Sequence, residues 1–336
     1  MISEKESRTI YILKAFAIIS VVCAHISLVP ETFSQKSKFI CILLNEIGAF
    51  GVGIFFCVSG YLFSATANRN KTFKAFIYNK LTKIGIPWIV SATLVYIYVA
   101  IRKGGSIVGW LASVLGYQSS YWFLSMLLII LIAFYFIQKS SKDILWAFFL
   151  MVTALISVVL RSKGIIRQDS FGVYLNVFNW GIFFSAGYIY EKKGTKKIRF
   201  LNKTVPFVIL MLTLVLLLVG LPATGIGKIS YFYYFYIPIE MIAILVCIGA
   251  AIRLSNKKHR VLEMLGKNSF AIYLYNELLW AGLIVYIGNK FDSCFLLVLR
   301  PVIVLCIVLM ELLVGDKMFD FLGKKKQYEF LTGVKI

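Results

Sequence analysis

The residues of this chain that could do chemistry are a few ionisable or amide side chains placed inside long apolar stretches. A charged group in the hydrocarbon of a bilayer costs roughly 2.5 to 3.5 kcal/mol unless it faces a cavity or a partner. Groups of this kind are therefore the first candidates for a functional site. They are Lys14, His25, Glu46, Glu240, Asn276, Glu277, Arg300 and Glu311.

Among these residues, His25 could take the widest range of chemical roles. It follows Lys14 by nearly three helical turns, a rise of roughly 16 Å, so both side chains lie on one face of a helix. An imidazole in this position can be a hydrogen-bonded packing residue, a proton relay or a general base, and the residues themselves leave all three open. Lys14 can reach the inner interface with its amine or bind an anion.

The elements that must position these groups are membrane-spanning helices. With 60% hydrophobic and 15% charged residues and a mean hydropathy of +0.84, the chain is not an ordinary water-soluble domain. Apolar stretches of about 18 to 22 residues match a hydrocarbon layer of ~30 Å. We therefore expect an all-α integral membrane protein of about ten transmembrane helices, forming one multi-span domain over residues 1–336. The predicted spans are 9–29, 45–65, 84–101, 119–137, 144–160, 171–190, 204–221, 231–252, 268–287 and 294–314.

The net charge of +21 is explained by membrane topology. If the N-terminus lies inside, most Lys and Arg residues fall in segments on the cytoplasmic side, which predicts that both termini are cytoplasmic. We therefore do not expect nucleic acid as a partner. The six cysteines lie in or beside apolar spans without a C-x-x-C pair, so neither a disulfide framework nor a metal site is predicted.

Two connecting segments have a predicted structure of their own. The segment Ser106 to Gly116 is apolar but too short to cross a bilayer, which favours an interfacial or re-entrant helix. The segment Arg69 to Lys83 has apolar residues at helical spacing among basic residues, which predicts a separate amphipathic helix on the inner surface. That helix would either anchor to lipid or bind an anionic ligand.

Several motifs give the chain a resemblance to the membrane-bound acyltransferase-3 family. Lys14 and His25 in RTIYILKAFAIISVVCAHIS resemble its first-helix pair of a basic residue and a histidine, and Lys80 and Lys83 its basic pair before the third helix. The segments SSYWFLSMLLII, FFSAGYIYEKK and SFAIYLYNELL are similar to later family helices. In GVGIFFCVSGYLFS the residues that match the second-helix motif are Phe55, Phe56, Ser59, Gly60, Tyr61 and Leu62.

The chain also departs from the family pattern. Lysine stands at 14, 80 and 83, where the family commonly has arginine. The positive charge is therefore kept, but the planar guanidinium group that can bind an anion through two hydrogen bonds is absent. Asn276 stands where the late-helix motif often ends in histidine. Tyr11 replaces the acidic residue that commonly precedes the first-helix basic residue.

The resemblance implies an O-acyltransferase, in particular an O-acetyltransferase, in the inner membrane of a bacterium. It would move an acyl group from cytoplasmic acyl-CoA, without a permanently bound cofactor or metal, to a sugar hydroxyl of a lipid-linked or cell-surface glycan. His25 would be the general base or form an acyl-histidine, while Lys14, Lys80 and Lys83 would hold the donor phosphates. Candidates for the acceptor pocket are Trp122, Glu46, Asn276, Glu277 and Glu240.

Other interpretations stay open for some of these residues. Trp122 could stack on a sugar or belong to the interfacial aromatic belt. Ser59, beside Gly60, fits close helix packing better than a nucleophile. A proton-coupled transporter or flippase could use His25, Glu240 and Glu277 as a proton path, although no inverted repeat relates the first and last five predicted helices. The missing late histidine would also suit a membrane sensor without turnover.

Overall fold

The computed structural model describes residues 3–66, 72–117, 119–166, 173–193, 201–223, 236–276 and 280–335. Within these ranges the chain is helical and contains no strand. The helices are α1 (Glu4–His25), α2 (Gln35–Ala65), α3 (Phe73–Lys80), α4 (Ile86–Lys103), α5 (Ile107–Val114), α6 (Trp122–Ile137), α7 (Asp143–Ser162), α8 (Val177–Lys192), α9 (Thr204–Ala223), α10 (Tyr236–Leu254), α11 (Arg260–Tyr275), α12 (Trp280–Gly288), α13 (Cys294–Phe321) and α14 (Lys325–Thr332).

The predicted class of helical membrane protein is confirmed in its main feature. Among the described residues, six helices are long and apolar enough to cross a membrane, and two shorter apolar helices cover Trp122–Ile137 and Thr204–Gly220. The total of ten spans and the cytoplasmic position of both termini stay predictions. The six long helices are Glu4–His25, Gln35–Ala65, Phe73–Ile101, Asp143–Ser162, Ile237–Leu254 and Cys294–Phe321.

The structure corrects the prediction of a separate amphipathic helix before the third span. α3 continues through one π-helical turn, Leu81–Gly85, directly into α4. Pro87 lies in the first turn of α4 and has no N–H to donate to the carbonyl of Lys83, four residues earlier. A wider turn in this place lets the helix continue past the missing hydrogen bond. The short segment after α4 forms a helix, α5, whose interfacial or re-entrant position stays a prediction.

The helices in the region of the predicted ninth span also have bounds that differ from the prediction. α11 begins at Arg260, well inside the basic segment, and ends at Tyr275, while α12 begins at Trp280. Hydropathy marks where hydrocarbon begins, whereas a helix continues into polar sequence as long as its backbone hydrogen bonds do. Residues 277–279, which include Glu277, lie outside the described part of the chain.

The chain folds into two compact units, and each contains part of α1 and part of α2. Unit 1 comprises Met1–Leu13, Val52–Ile77 and Leu115–Lys258. Unit 2 comprises Lys14–Gly51, Tyr78–Val114 and His259–Ile336. The single multi-span domain expected from the composition stays a prediction.

In unit 1 the second-helix motif brings α2 into backbone contact with α8. A side chain at Gly60 would collide with the carbonyl of Phe184, and one at Gly187 would collide with the carbonyl of Cys57. Glycines permit this approach because they have no Cβ, which is how helices gain packing contacts where lipid is as apolar as the protein. Around the contact, the rings of Phe63, Phe134 and Phe184 fill the core.

In unit 2 a second pair of small residues sets the distance between α1 and α2. Gly48 lies against Ala24, and Gly51 lies against the backbone of Ala17, so neither glycine has room for a side chain. The hydroxyl of Ser20 donates to the carbonyl of Ile47 at the same interface. The part of α1 that precedes His25 is therefore held closely against α2.

The close approach of α2 and α8 predicts a difference between two glycines of the same helix. Gly187→Ala should lower the free energy of unfolding by about 1–3 kcal/mol, because the new methyl group collides with the Cys57 carbonyl. Gly181→Ala is the matched control: nothing lies within 4 Å of its added Cβ, so stability should stay equal or rise slightly. Thermal unfolding of both variants in detergent tests this, and equal losses would contradict the packing.

Candidate active site

The centre of the candidate site is a hydrogen bond between His25 and Asn276 in unit 2. His25 is the last residue of α1, and Asn276 follows directly after Tyr275, the end of α11. The distance between His25 Nδ1 and Asn276 Oδ1 is 2.7 Å. Asn276 is fully buried, whereas His25 is partly exposed. The structure therefore brings together two predicted site residues that are far apart in the sequence.

The other hydrogen bonds of Asn276 determine which nitrogen of His25 carries the proton. The Asn276 amide nitrogen donates to the carbonyl of Ile272 at 3.1 Å and to that of Tyr273 at 2.8 Å. If the amide were turned over, its oxygen would face these two carbonyl oxygens. The oxygen must therefore point to His25, and an oxygen can only accept. In neutral His25 the proton accordingly lies on Nδ1, and Nε2 carries the lone pair.

The end of α1 is also fixed by neighbouring polar contacts with α2. Ser27 donates to the carbonyl of Ala24 at 3.0 Å and lies 3.4 Å from Asn45 Oδ1. Glu46, the next residue on α2, is buried, with only 4% of its surface exposed. The structure thus places Glu46 in the part of α2 that packs against the end of α1, where the sequence predicted a pocket residue.

A buried arginine anchors the segment just beyond His25. Arg300 on α13 is 2% exposed and donates to the carbonyl of Leu28 at 3.3 Å and to Asn289 Oδ1 at 3.0 Å. The sequence marked Arg300 as a charge within an apolar span but did not assign it to the site. Its contact with Leu28, three residues after His25, shows that it helps to position the chain around the imidazole.

A carboxylate at the start of α13 holds the beginning of α2. The hydroxyl of Ser37 and the backbone N–H of Ser34 both donate to Asp292, the second at 2.7 Å. These hydrogen bonds lower the pKa of Asp292, because they stabilise its charged form. The ends of α2 and α13 are thereby held together in unit 2.

The predicted cationic residues of unit 2 lie in two pairs. Lys80, the last residue of α3, and Lys83, on the π-helical turn that follows, repel each other electrostatically. Lys14 interacts in the same way with Lys335, a residue of the C-terminal tail that the sequence did not single out. Like charges kept close together attract an anion, so both pairs are candidates for phosphate binding.

The C-terminal tail reaches Lys14 because it is held in place by α11 and α4. The backbone N–H of Lys335 donates to Asn268 Oδ1 at 2.8 Å, and Gly333 lies against Phe270 and Pro87. The sequence signal that could have identified Lys335 was the basic character of the tail. The proximity of Lys335 to Lys14, however, results from packing between segments that are distant in the sequence.

In unit 1 Trp122 is part of an aromatic cluster rather than an isolated ring. Its ring centroid lies 4.9 Å from those of both Tyr174 and Trp180, and Trp180 stacks on Phe56. Phe55 and Phe56 of the second-helix motif both contact Phe123. Trp122 is partly exposed and Tyr174 is exposed, so together they present an aromatic surface supported from below.

Glu240 is a predicted pocket residue whose carboxylate the structure leaves without a partner. It is 1% exposed, and neither oxygen has a hydrogen-bond partner among the described residues. A Cβ at Gly53 would lie 2.6 Å from Glu240 Oε2, so the carboxylate packs directly on α2. Two further motif residues of α2, Ser59 and Tyr61, are partly buried, and Tyr61 pairs with the ring of Tyr190.

Within the described ranges, no three His, Cys, Asp or Glu side chains come together as a possible metal site.

Comparison with known protein families shows which family the chain belongs to. The family model of acyltransferase-3, described as an acyltransferase domain, matches residues 9–315, which is nearly the whole chain. Both His25 and Asn276 lie within the matched range. No curated protein and no solved structure matches the chain.

Proposed function

This chain belongs to the acyltransferase-3 family, and from that membership we propose that it is a membrane-embedded O-acyltransferase. The acyl group, in particular acetyl, would come from cytoplasmic acyl-CoA. The acceptor would be a sugar hydroxyl of a lipid-linked or cell-surface glycan in the inner membrane of a bacterium. The observation that carries the proposal is the hydrogen bond between His25 and Asn276.

That hydrogen bond suits His25 to the role of general base. Nε2, the nitrogen without a proton, takes the proton of the acceptor hydroxyl. At the same time the hydroxyl oxygen attacks the thioester carbonyl. A carbon–oxygen bond forms, the carbon–sulfur bond breaks, and the proton passes from Nε2 to the departing thiolate. Asn276 accepts from Nδ1 throughout, so the imidazole keeps its orientation while it gains and loses the proton.

The cationic pairs of unit 2 suit a donor that carries several phosphates. Lys80 with Lys83, and Lys14 with Lys335, would provide charge-assisted hydrogen bonds to phosphate oxygens. Lysines bind phosphate as point charges and do not require the bidentate geometry of arginine. The lysine-for-arginine differences from the family pattern therefore leave donor binding intact in this proposal.

The aromatic surface of unit 1 suits a sugar as the acceptor. Trp122 is partly exposed and Tyr174 is exposed, and the apolar face of a sugar ring can pack on aromatic rings of this kind. Trp180 and Phe56 support the two rings, so the surface is held in place before a sugar binds. We assign Trp122 to acceptor binding on this ground.

The general-base role predicts the effect of replacing His25 with a residue of similar size. His25→Gln keeps a hydrogen-bonding amide but cannot take a proton, so turnover should fall by at least roughly 10²-fold while the protein stays folded. His259→Gln replaces the other histidine of the chain, outside the proposed site, and is the control that should keep its activity. A His25→Gln enzyme with more than about a tenth of normal turnover would refute the base role. A proton-coupled transporter would instead lose its function in both His25→Gln and Glu240→Gln.

Asn276 is predicted to set the tautomer of His25. Asn276→Leu has a similar volume but no acceptor, so kcat should fall at least about tenfold while the donor KM stays unchanged. Nitrogen NMR of ¹⁵N-histidine-labelled protein, with His259→Gln to remove the second histidine, should show the proton of neutral His25 on Nδ1. In Asn276→Leu a population with the proton on Nε2 should emerge. A proton on Nε2 in the normal protein would disprove the tautomer assignment and leave the acyl transfer itself untouched.

The pair Lys80 and Lys83 is predicted to affect only the binding of the donor. Replacing Lys80 and Lys83 with Ala should raise the KM for acyl-CoA by tenfold or more, since a hydrogen bond to a charged group contributes about 1.5–3 kcal/mol. Acyl-pantetheine, which carries no phosphate, should react equally with both enzymes. Lys74→Ala, an exposed lysine on α3, is the control. An unchanged KM would reassign the pair to lipid headgroups.

A further inference from the structure

Unit 1 contains a cavity that the proposed reaction does not use. Its volume is about 560 Å³, and it lies between the N-terminal part of α1, the second half of α2 and α10. The closed end is formed by Leu13, Ile54 and Ile244, which are all buried. Beyond it, Glu240 packs on Gly53, one helical turn from Ile244.

Toward its closed end the cavity is lined mainly by hydrocarbon, whereas Tyr61 and Tyr190 also contribute polar side chains to its lining. Ile244, Ile248 and Ile252 lie on one face of α10 and form a wall about 12 Å long. Thr9 brings a hydroxyl to the cavity, but this hydroxyl already donates to the carbonyl of Lys5 at 3.0 Å. A ligand that enters deeply therefore meets apolar surface and few groups able to hydrogen-bond with it.

The rim of the cavity is polar and carries one lysine. Ser3 and Glu6 line it, yet they satisfy each other in a capping box, with both hydrogen bonds at 3.2 Å. Lys5 and Asn202 are exposed rim residues whose side chains take part in none of the hydrogen bonds described within unit 1. Lys5 can therefore offer its ammonium group to an anionic ligand head.

The polar rim lies near the C-terminal end of α10, and the closed end lies near the middle of this helix, at Ile244. Arg8 of α1 donates to the carbonyl of Ser255 at 3.4 Å, which brings the end of α10 beside the first turns of α1. In the predicted topology these segments lie at the cytoplasmic surface, so the rim would lie at the level of the inner headgroups. The closed end would then lie within the hydrocarbon layer.

We propose that this cavity binds one acyl chain of an inner-leaflet phospholipid, with the lipid phosphate held by Lys5. An acyl chain buries only apolar surface against these walls, which is favourable at about 25 cal/mol per Å². The pantetheine arm of acyl-CoA carries two amides, and an amide buried without partners costs roughly 2–7 kcal/mol. The cavity is therefore a lipid site and not a second donor site.

Cys57 provides a reporter for this cavity in the unmodified chain. Its thiol lines the cavity and is partly exposed, whereas Cys306 on α13 is exposed and does not line it. The rates at which N-ethylmaleimide labels both cysteines can be followed by peptide mass spectrometry in delipidated detergent solution. Dioleoyl phosphatidylglycerol at about ten times its Kd should slow labelling of Cys57 roughly tenfold relative to Cys306. Glycerophosphoglycerol, which has the same head without chains, and acetyl-CoA should leave the ratio unchanged.

Three variants distinguish binding of the acyl chain of the lipid from binding of its headgroup. Ile248→Trp fills the cavity, so Cys57 should label slowly without lipid, and added lipid should have no further effect. Leu216→Trp, on an exposed position of α9, is the control for a tryptophan on the surface and should behave like the normal chain. Lys5→Gln should require up to about fivefold more lipid for the same protection, because an exposed ion pair contributes at most about 1 kcal/mol.

The lipid titration of the normal chain decides the outcome even if Ile248→Trp does not fold. Protection of Cys57 by phosphatidylglycerol alone supports the lipid site. Protection by acetyl-CoA at lower concentration would overturn it in favour of donor binding, and absence of protection by either would overturn it as well. None of these results depends on the acyltransferase activity.

Discussion

The candidate site depends on one constraint: a polar group in an apolar interior must find a partner. Asn276 meets it three times, by donating to the carbonyls of Ile272 and Tyr273 and by accepting from His25. Because Nδ2 donates two of these bonds and Oδ1 accepts the third, the orientation of the amide is fixed. A fixed amide in turn fixes the imidazole, which therefore has a defined proton position before any substrate binds. Preorganisation of this kind is what general-base catalysis requires.

Small residues make this arrangement possible at the level of the backbone. Gly48 and Gly51 let α2 approach α1 closely in unit 2, and Gly60 and Gly187 do the same for α2 and α8 in unit 1. In a membrane there is little hydrophobic driving force between helices, so close packing and hydrogen bonds must hold them together. The second-helix motif is therefore a packing motif in this structure: Gly60 allows the contact, while Phe55 and Phe56 support the aromatic cluster around Trp122.

The buried or clustered charged residues have different roles in this structure. Arg300 binds neutral oxygens near the end of α1 and so has a positioning role. Lys14 lies near Lys335, and Lys80 lies near Lys83, so each pair concentrates positive charge. In the proposed reaction these pairs would bind the phosphates of the donor. Glu240, by contrast, packs against backbone in unit 1 and needs no ligand in the proposed reaction.

The sequence by itself determined the helical membrane class, most of the long apolar helices, the shared face of Lys14 and His25, and the family motifs. These features are local, because hydropathy and helical periodicity depend on neighbouring residues. The pairing of His25 with Asn276, 251 residues apart, could not be read in this way, nor could the approach of Lys335 to Lys14. The helix in the basic segment before α4 was predicted, but its continuation through the π turn into α4 was missed, because hydropathy does not show whether two neighbouring helices are continuous. Only the tertiary structure decided these points, since hydrogen-bond partners and cavities arise where distant segments pack against one another.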